Sequence, residues 1–223
     1  TQANREQGIR RLTAINLMKR MESSVYAFRL TLKRIKDLIG KTIETIDTFD
    51  KHTTYQLELT DISDIAEFDG EDQNDDLFTF GKKVKIDLQD MDYVSWRDYL
   101  NKDKAILEWL HSLTEQITPA HDSKLQSLMD LLKNKITNPI NCDNKKIIIF
   151  TAFADTAFYL YENVSKYIKD NFGLHTAMVT GTVEGRSTVP RLHCDMNTVL
   201  TCFSPISKDK KLLMPDDRND IDI

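Results

Sequence analysis

Gly40-Lys41-Thr42 carries the closing letters of a phosphate-binding loop, in which backbone amides and a lysine cradle phosphate oxygens. The full pattern needs a glycine five residues before Gly40, and Ile35 stands there. A helical pattern rather than a strand leads into it, so the plainer reading is a piece of helix. No acidic pair closes a buried strand to hold magnesium, and the sequence therefore contains no complete nucleoside triphosphate site. His193, Cys194 and Cys202 are metal-ligand types, but they lack a C-x-x-C pair and a fourth ligand. They read more simply as core residues, with the two thiols eight residues apart on one helix. Cys142 with His121 or His175 would give a thiol nucleophile and a base, yet nothing local joins them. Around Asp69-Gly70-Glu71-Asp72 the mixture hints at calcium, but Ala66 and Phe68 occupy earlier ligand positions, which leaves a plain acidic loop.

Two other features are chemical by position. Ligands of open parallel sheets gather beyond the carboxyl ends of the strands. Here such ends would be Thr151-Ala152-Phe153 and Thr180-Gly181-Thr182, where hydroxyls, amides and a following helix N-terminus could meet phosphate. Asp155 would repel a phosphate directly, so the amides would have to lead; ordinary strand-to-helix turns are the default. Arg11, Lys19, Arg20, Arg29, Lys33, Arg34 and Lys36 form a basic face, by default a solvated one and otherwise a nucleic-acid footprint.

The elements that must position these residues emerge from composition and periodicity. Seven Gly and five Pro in 223 residues lie well below the roughly 12% of average usage, which argues against an all-β sandwich and for long helices. Net charge is −5, but residues 1–41 hold ten Lys/Arg against three Asp/Glu, while 61–76 hold eight Asp/Glu and no base. Three cysteines fit a reducing compartment better than a disulfide framework. No 18-residue apolar run is present, so no membrane span is expected. The absence of an initial Met and the closing alternation Asp220-Ile221-Asp222-Ile223 lead us to expect a piece of a longer protein.

Leu12, Ile15, Met18, Met21, Val25, Phe28, Leu32, Ile35 and Ile39 recur at steps of three or four. That spacing predicts one face of a long helix, with a break near Glu22–Ser24, a stop or kink at Gly40, or continuation to Phe49. Residues 61–76 read as a solvated acidic loop. Asp90 is a candidate cap for one or two helices running from Trp96 to Ile117. Asp122 or Ser123 caps the next, which ends before Pro139. Lys145–Thr151 then reads as a strand buried on both faces. Asp155 caps a helix to Asn171, ended by Gly173, and His175–Val179 reads as a second strand. A helix at 198–203 and a strand starting at Ile221 complete the sequence, and the two earlier strands with the helix between them read as a right-handed strand–helix–strand unit. The expected fold class is α/β with a large helical region. It divides into a mostly helical part, 1–120, and a partial RecA-like parallel sheet of the P-loop NTPase kind in 121–223.

Three segments carry a resemblance. They are Leu17-Met-Lys-Arg-Met-Glu-Ser-Ser-Val25 running into Tyr26-Ala-Phe-Arg-Leu; Asp122-Ser-Lys-Leu-Gln-Ser-Leu with Lys146-Ile-Ile-Ile-Phe-Thr151; and Val179-Thr-Gly181 with Leu200-Thr-Cys-Phe-Ser204. In this order they resemble bacterial superfamily 2 helicases of the Swi/Snf-like branch, over about half of the chain. The resemblance implies a helix linking two RecA-like lobes, a D-x-K helix opening the second lobe, and the strand of helicase motif IV. Residues 45–118 would be an insertion. The segment from Gly181 to Phe203 is longer than usual for the family, and the Walker lysine, the acidic box and the arginine-bearing motif VI are absent.

The function that the resemblance implies is that of a cytoplasmic ATP-dependent translocase on nucleic acid, double-stranded DNA first, of which this chain would be one part. It implies ATP and Mg²⁺ in the full-length protein, neither in this chain alone, and the first RecA-like lobe as partner. It assigns nucleic-acid contact to Thr151, Phe153, Thr180 and Gly181, and more weakly to Lys19 and Arg20, with no catalytic residue here. The competing expectation is a helical protein-interaction module with a small α/β appendage and no catalysis; a cysteine hydrolase would require a thiol beside a histidine.

Overall fold

The computed structural model describes residues 2–48, 56–58, 85–88, 91–181, 184–215 and 219–223, with backbone alone for 2–6, 9, 56–58 and 85–87. The chain is mostly helical and divides into two compact units, Thr1–Ile117 and Thr118–Ile223. The acidic loop with its calcium-like stretch, Phe49 and Asp90 lie outside the described residues.

In the first unit, helix α1 (Gln2–Ser23) breaks into α2 (Val25–Asp47) at Ser24. Ser24 leaves helical dihedrals (φ −158°, ψ 146°) and its Oγ accepts the Ala27 amide at 3.0 Å, which satisfies a donor that the new helix leaves open. Gly40 neither stops nor kinks the helix, which continues to Asp47. Along α2 the apolar steps mix threes and fours, so at about 100° per residue they stay on one side, and Leu32, Ile43 and Ile46 are buried. Along α1 every step from Leu12 to Met21 is three. Each step lags a full turn by about 60°, the stripe winds around the helix, and Leu12, Ile15, Met18 and Met21 are exposed. The single face expected over 12–39 is therefore true of α2 and not of α1.

Helix α3 (Tyr93–Glu115) is one helix, capped by Asp92, whose carboxylate accepts the Ser95 amide at 3.0 Å. It packs on α2. Arg97 pairs with Asp47, and Arg29 Nη1 donates to the Thr114 carbonyl at 3.5 Å. The start of each helix thus meets the end of the other, which makes the pair antiparallel. Strands β1 (Gln56–Glu58) and β2 (Lys85–Asp87) pair antiparallel, with Leu57 opposite Ile86.

In the second unit a 3₁₀ turn (Pro119–His121) leads into α4 (Ser123–Thr137). Asp122 Oδ1 accepts the Lys124 and Leu125 amides at 3.1 and 3.0 Å, and Oδ2 accepts the Tyr159 hydroxyl at 2.9 Å. One carboxylate therefore caps α4 and ties it to α5 (Ala154–Phe172), which Gly173 ends at φ 67°, a conformation glycine adopts without strain. The cap of α5 is Phe153, not Asp155; Asp155 is buried in the first turn. Strand β3 (Ala177–Met178) pairs antiparallel with β4 (Arg186–Ser187). Helix α6 (Met196–Phe203), capped by Asp195, and the short α7 (Lys210–Leu213) come next. Cys194 precedes α6 and only Cys202 lies on it, so the two thiols do not share a helix.

The expected strand at Lys145–Thr151 does not form, and it is not buried on both faces. Ile147 and Ile149 are half-buried, while Ile148 is 58% and Phe150 is 90% exposed. From this segment the Ile147 amide donates to the Asp222 carbonyl at 2.8 Å. Asp222 N donates to the His175 carbonyl at 2.9 Å and Ala177 N to the Ile223 carbonyl at 2.8 Å. Those two bonds advance in the same direction along both segments, as parallel pairing does, but no parallel ladder forms. Among the described residues the ladders are β1–β2 and β3–β4, both antiparallel. A RecA-like parallel sheet is thus not seen; what stands in its place is the segment 219–223 bonded on both sides. Ile221 packs with Val189, Val199 and Cys202 in the buried cluster. Lys210, itself buried, bonds the Asn219 carbonyl and Asp220 Oδ1, the latter at 3.1 Å. Among the described residues no helix is long and apolar enough to cross a membrane.

Two substitutions test this packing, with a third as control. A Cβ at Gly185 would stand 2.2 Å from the Cys194 carbonyl oxygen and 3.0 Å from that of Met178. Both are backbone atoms, so Gly185→Ala should destabilise the second unit by about 1–3 kcal/mol in urea unfolding, whereas Gly8→Ala, with nothing within 4 Å, should not lower stability. Lys210→Met leaves the Asn219 carbonyl without its ammonium. It should cost about 1–3 kcal/mol and speed hydrogen exchange at the Ile221 and Asp222 amides first.

Candidate functional site

The sequence-predicted contacts fall in both units. Lys19 and Arg20 lie on α1 in the first, where Lys19 is exposed and Arg20 is buried. Thr151, Phe153, Thr180 and Gly181 belong to the second. The structure joins Thr151 and Phe153: Thr151 Oγ1 donates to the Phe153 carbonyl at 2.7 Å and accepts the Phe153 amide at 3.2 Å. That hydroxyl closes its own turn, and Phe153 is buried, so it offers no ring to a base. The carboxylate of Asp155 already sits in the first turn of α5, where negative charge suits the helix dipole. Thr180 is half-buried and Gly181 exposed just beyond β3. At the first of these turns the Thr151 hydroxyl and the Phe153 amide are thus already engaged with each other.

A gathering of polar groups surrounds the segment 219–223 and was missed from sequence. Lys146 Nζ donates to the Ile221 carbonyl at 2.6 Å, stands 3.7 Å from Asp222 Oδ1 and lies over the Phe203 ring, 5.5 Å from its centre. Asp222 Oδ2 accepts the His175 amide at 3.3 Å. The His175 ring stands between Lys169 Nζ, 3.1 Å from Nε2, and Thr188 Oγ1, 3.2 Å from Nδ1. Next to it, Thr176 Oγ1 is buried without a hydrogen-bond partner. The signal for this cluster was the Asp/Ile alternation at 220–223, whose polar positions need partners wherever its apolar ones are buried.

The other sequence candidates resolve plainly. Gly40-Lys41-Thr42 lies within α2, where backbone amides serve the helix rather than a phosphate. Among the described residues no lysine-bearing phosphate loop and no metal-holding acidic group stand together to hold ATP and Mg²⁺. Among the described residues no group of three or more His, Cys, Asp or Glu is placed to hold a metal ion. His193 is exposed, 3.9 Å from Asp195. Asp195 is held below the usual carboxylate range by its bonds to the Thr198 hydroxyl and amide. Burial first, then Glu184 and Asp195, push the Cys194 thiol up. Tyr161 is pushed up by burial and then by Cys194 and Glu162. A raised thiol is the opposite of an activated nucleophile.

No protein-family model, curated protein or solved structure matches the chain.

Thiol titration separates the three cysteines. Cys142 is exposed, Cys194 half-buried and Cys202 buried. With a disulfide reagent Cys142 should react first. Cys194 should react second and slowly, its rate rising at a pH above that of an ordinary thiol, and Cys202 should react only on unfolding. A fast-reacting thiol at neutral pH that depends on His121 or His175 would instead support the cysteine hydrolase.

Proposed function

We propose that this chain is part of an ATP-driven nucleic-acid motor of the superfamily 2, Swi/Snf-like kind. In this reading it supplies the helices that link two lobes and the first part of the second RecA-like lobe. The observation that carries it is the backbone of Asp222, bonded to Ile147 on one side and to His175 on the other, with α5 lying in sequence between those two neighbours. Strand–helix–strand with a third segment entering between the strands is how a parallel α/β sheet begins. The D-x-K element supports the reading, since Asp122 has a defined task in capping α4 and holding α5. Within the proposal, Lys19 gives a phosphate contact, the turns at Thr151–Phe153 and Thr180–Gly181 lie where the resemblance puts nucleic-acid contacts, and Arg20, being buried, serves the helix. ATP and Mg²⁺ belong to the full-length protein, a cytoplasmic one, with the first lobe as partner and double-stranded DNA as substrate.

The second reading, a helical interaction module without catalysis, is favoured by the exposed apolar residues of α1 and α3.

Anisotropy of a labelled duplex decides between them. The motor reading expects binding that weakens linearly in log–log form with salt, and Lys19→Ala should reduce that slope by about 1. ATP turnover should stay at background, because the lysine, metal site and arginine of phosphoryl transfer are missing. No duplex binding even at low salt would favour the module, and ATP turnover above background in a clean preparation would refute the assignment of this chain.

A further inference from the structure

Helix α3 has two apolar faces, and α2 covers only one of them. Trp96, Leu100 and Leu107 are half-buried and Thr114 is buried on the side of α2. Tyr99, Ile106 and Leu113 recur at intervals of seven with Trp109 between them, the seam of a helix that packs against another helix. They are 63%, 56% and 42% exposed, and Trp109 is 60% exposed. Asp98 and Asp103 flank this seam and are exposed; Lys102, within it, lies over the Tyr99 ring, 5.3 Å from its centre. On α1, Leu12, Ile15, Met18 and Met21 make a ridge of steps of three, and Ile15 and Met18 are half or more exposed. Arg11 and Lys19, each four residues from Ile15, border that ridge and are exposed.

We propose that the α3 seam is the docking surface for α1 of a second copy of this chain. Both surfaces are exposed within the same unit, so they do not cover each other inside one chain. Their charges are mainly complementary: Arg11 and Lys19 beside the α1 ridge, with Glu22 at its end, and Asp98 and Asp103 beside the α3 seam, with Lys102 inside it. Their geometry is complementary as well, since a ridge of steps of three packs into the grooves between ridges of steps of four, such as Trp109-Leu113, at a crossing of about +20°. A reciprocal exchange gives a closed two-fold dimer with the contact made twice. This inference does not depend on the motor reading.

Sedimentation of the full chain over a concentration series tests it, with far-UV dichroism as the folding control. The wild type should pass from monomer to dimer. Trp109→Glu and, separately, Met18→Glu should each weaken the dimer at least about tenfold with unchanged helicity, since neither side chain is buried in the monomer. Arg11→Glu and Asp103→Arg should each weaken it, and the two combined should recover affinity. A monomer throughout the series, which would leave these faces to another partner, overturns the proposal. So does a dimer indifferent to both Trp109→Glu and Met18→Glu.

Discussion

The second unit depends on how five residues are held. Within residues 219–223, positions 220–223 alternate polar and apolar, and the structure buries Ile221 and Ile223. Burying that backbone would cost several kcal/mol if its amides and carbonyls were left unpaired. They are not. Ile221 N finds the Cys202 carbonyl, Asp222 N the His175 carbonyl, and the carbonyls of Asp222 and Ile223 take the amides of Ile147 and Ala177. Two lysines complete the set, Lys210 at Asn219 and Asp220 and Lys146 at Ile221 and Asp222. The buried cluster of Val189, Val199 and Cys202 closes on Ile221, so apolar burial and polar satisfaction are met by one short segment.

In the first unit the constraint is angular. A helix carries its apolar stripe straight only when steps of three and four are mixed so that they average near 3.6. Helix α2 meets that condition and α3 packs along it, fastened by Arg97 to Asp47 and by Arg29 to the Thr114 carbonyl. Before the cap at Ser24, α1 does not meet it, and its apolar residues wind out to solvent. The same two helices that leave apolar surface open are the ones with opposite charge beside it.

Much of the helical content was legible because helices announce themselves locally. The break at Ser24, the cap at Asp122 with a stop before Pro139, and the end of α5 at Gly173 each rest on one residue and its neighbours. Where the sequence reading went astray, distant partners decided. Phe150 has the same letters whether a layer covers it or not, and in this fold it is 90% exposed. Asp155 had the chemistry of a cap but lies two residues beyond it, inside the helix, because Phe153 takes the extended conformation and the Thr151 hydroxyl closes the turn before it. The pairing of Arg186–Ser187 with β3 could not be foreseen, since two residues make no pattern. At the site, the Thr151 hydroxyl expected to face a phosphate is engaged locally. The lysines that organise the C-terminal segment reveal their role only when residues about seventy-five and ten positions apart in sequence are brought together.

The second unit stands or falls with Asp222 lying between Ile147 and His175, and with 222–223 running in the same direction as 175–177. Amide-to-alpha proton contacts in a nuclear Overhauser experiment on the full chain measure this directly. The expected result is contacts from the Asp222 backbone to both the 146–148 and the 175–177 segments, with those to 175–177 in parallel register. Antiparallel register there, or an Asp222 amide that contacts neither segment, would contradict it.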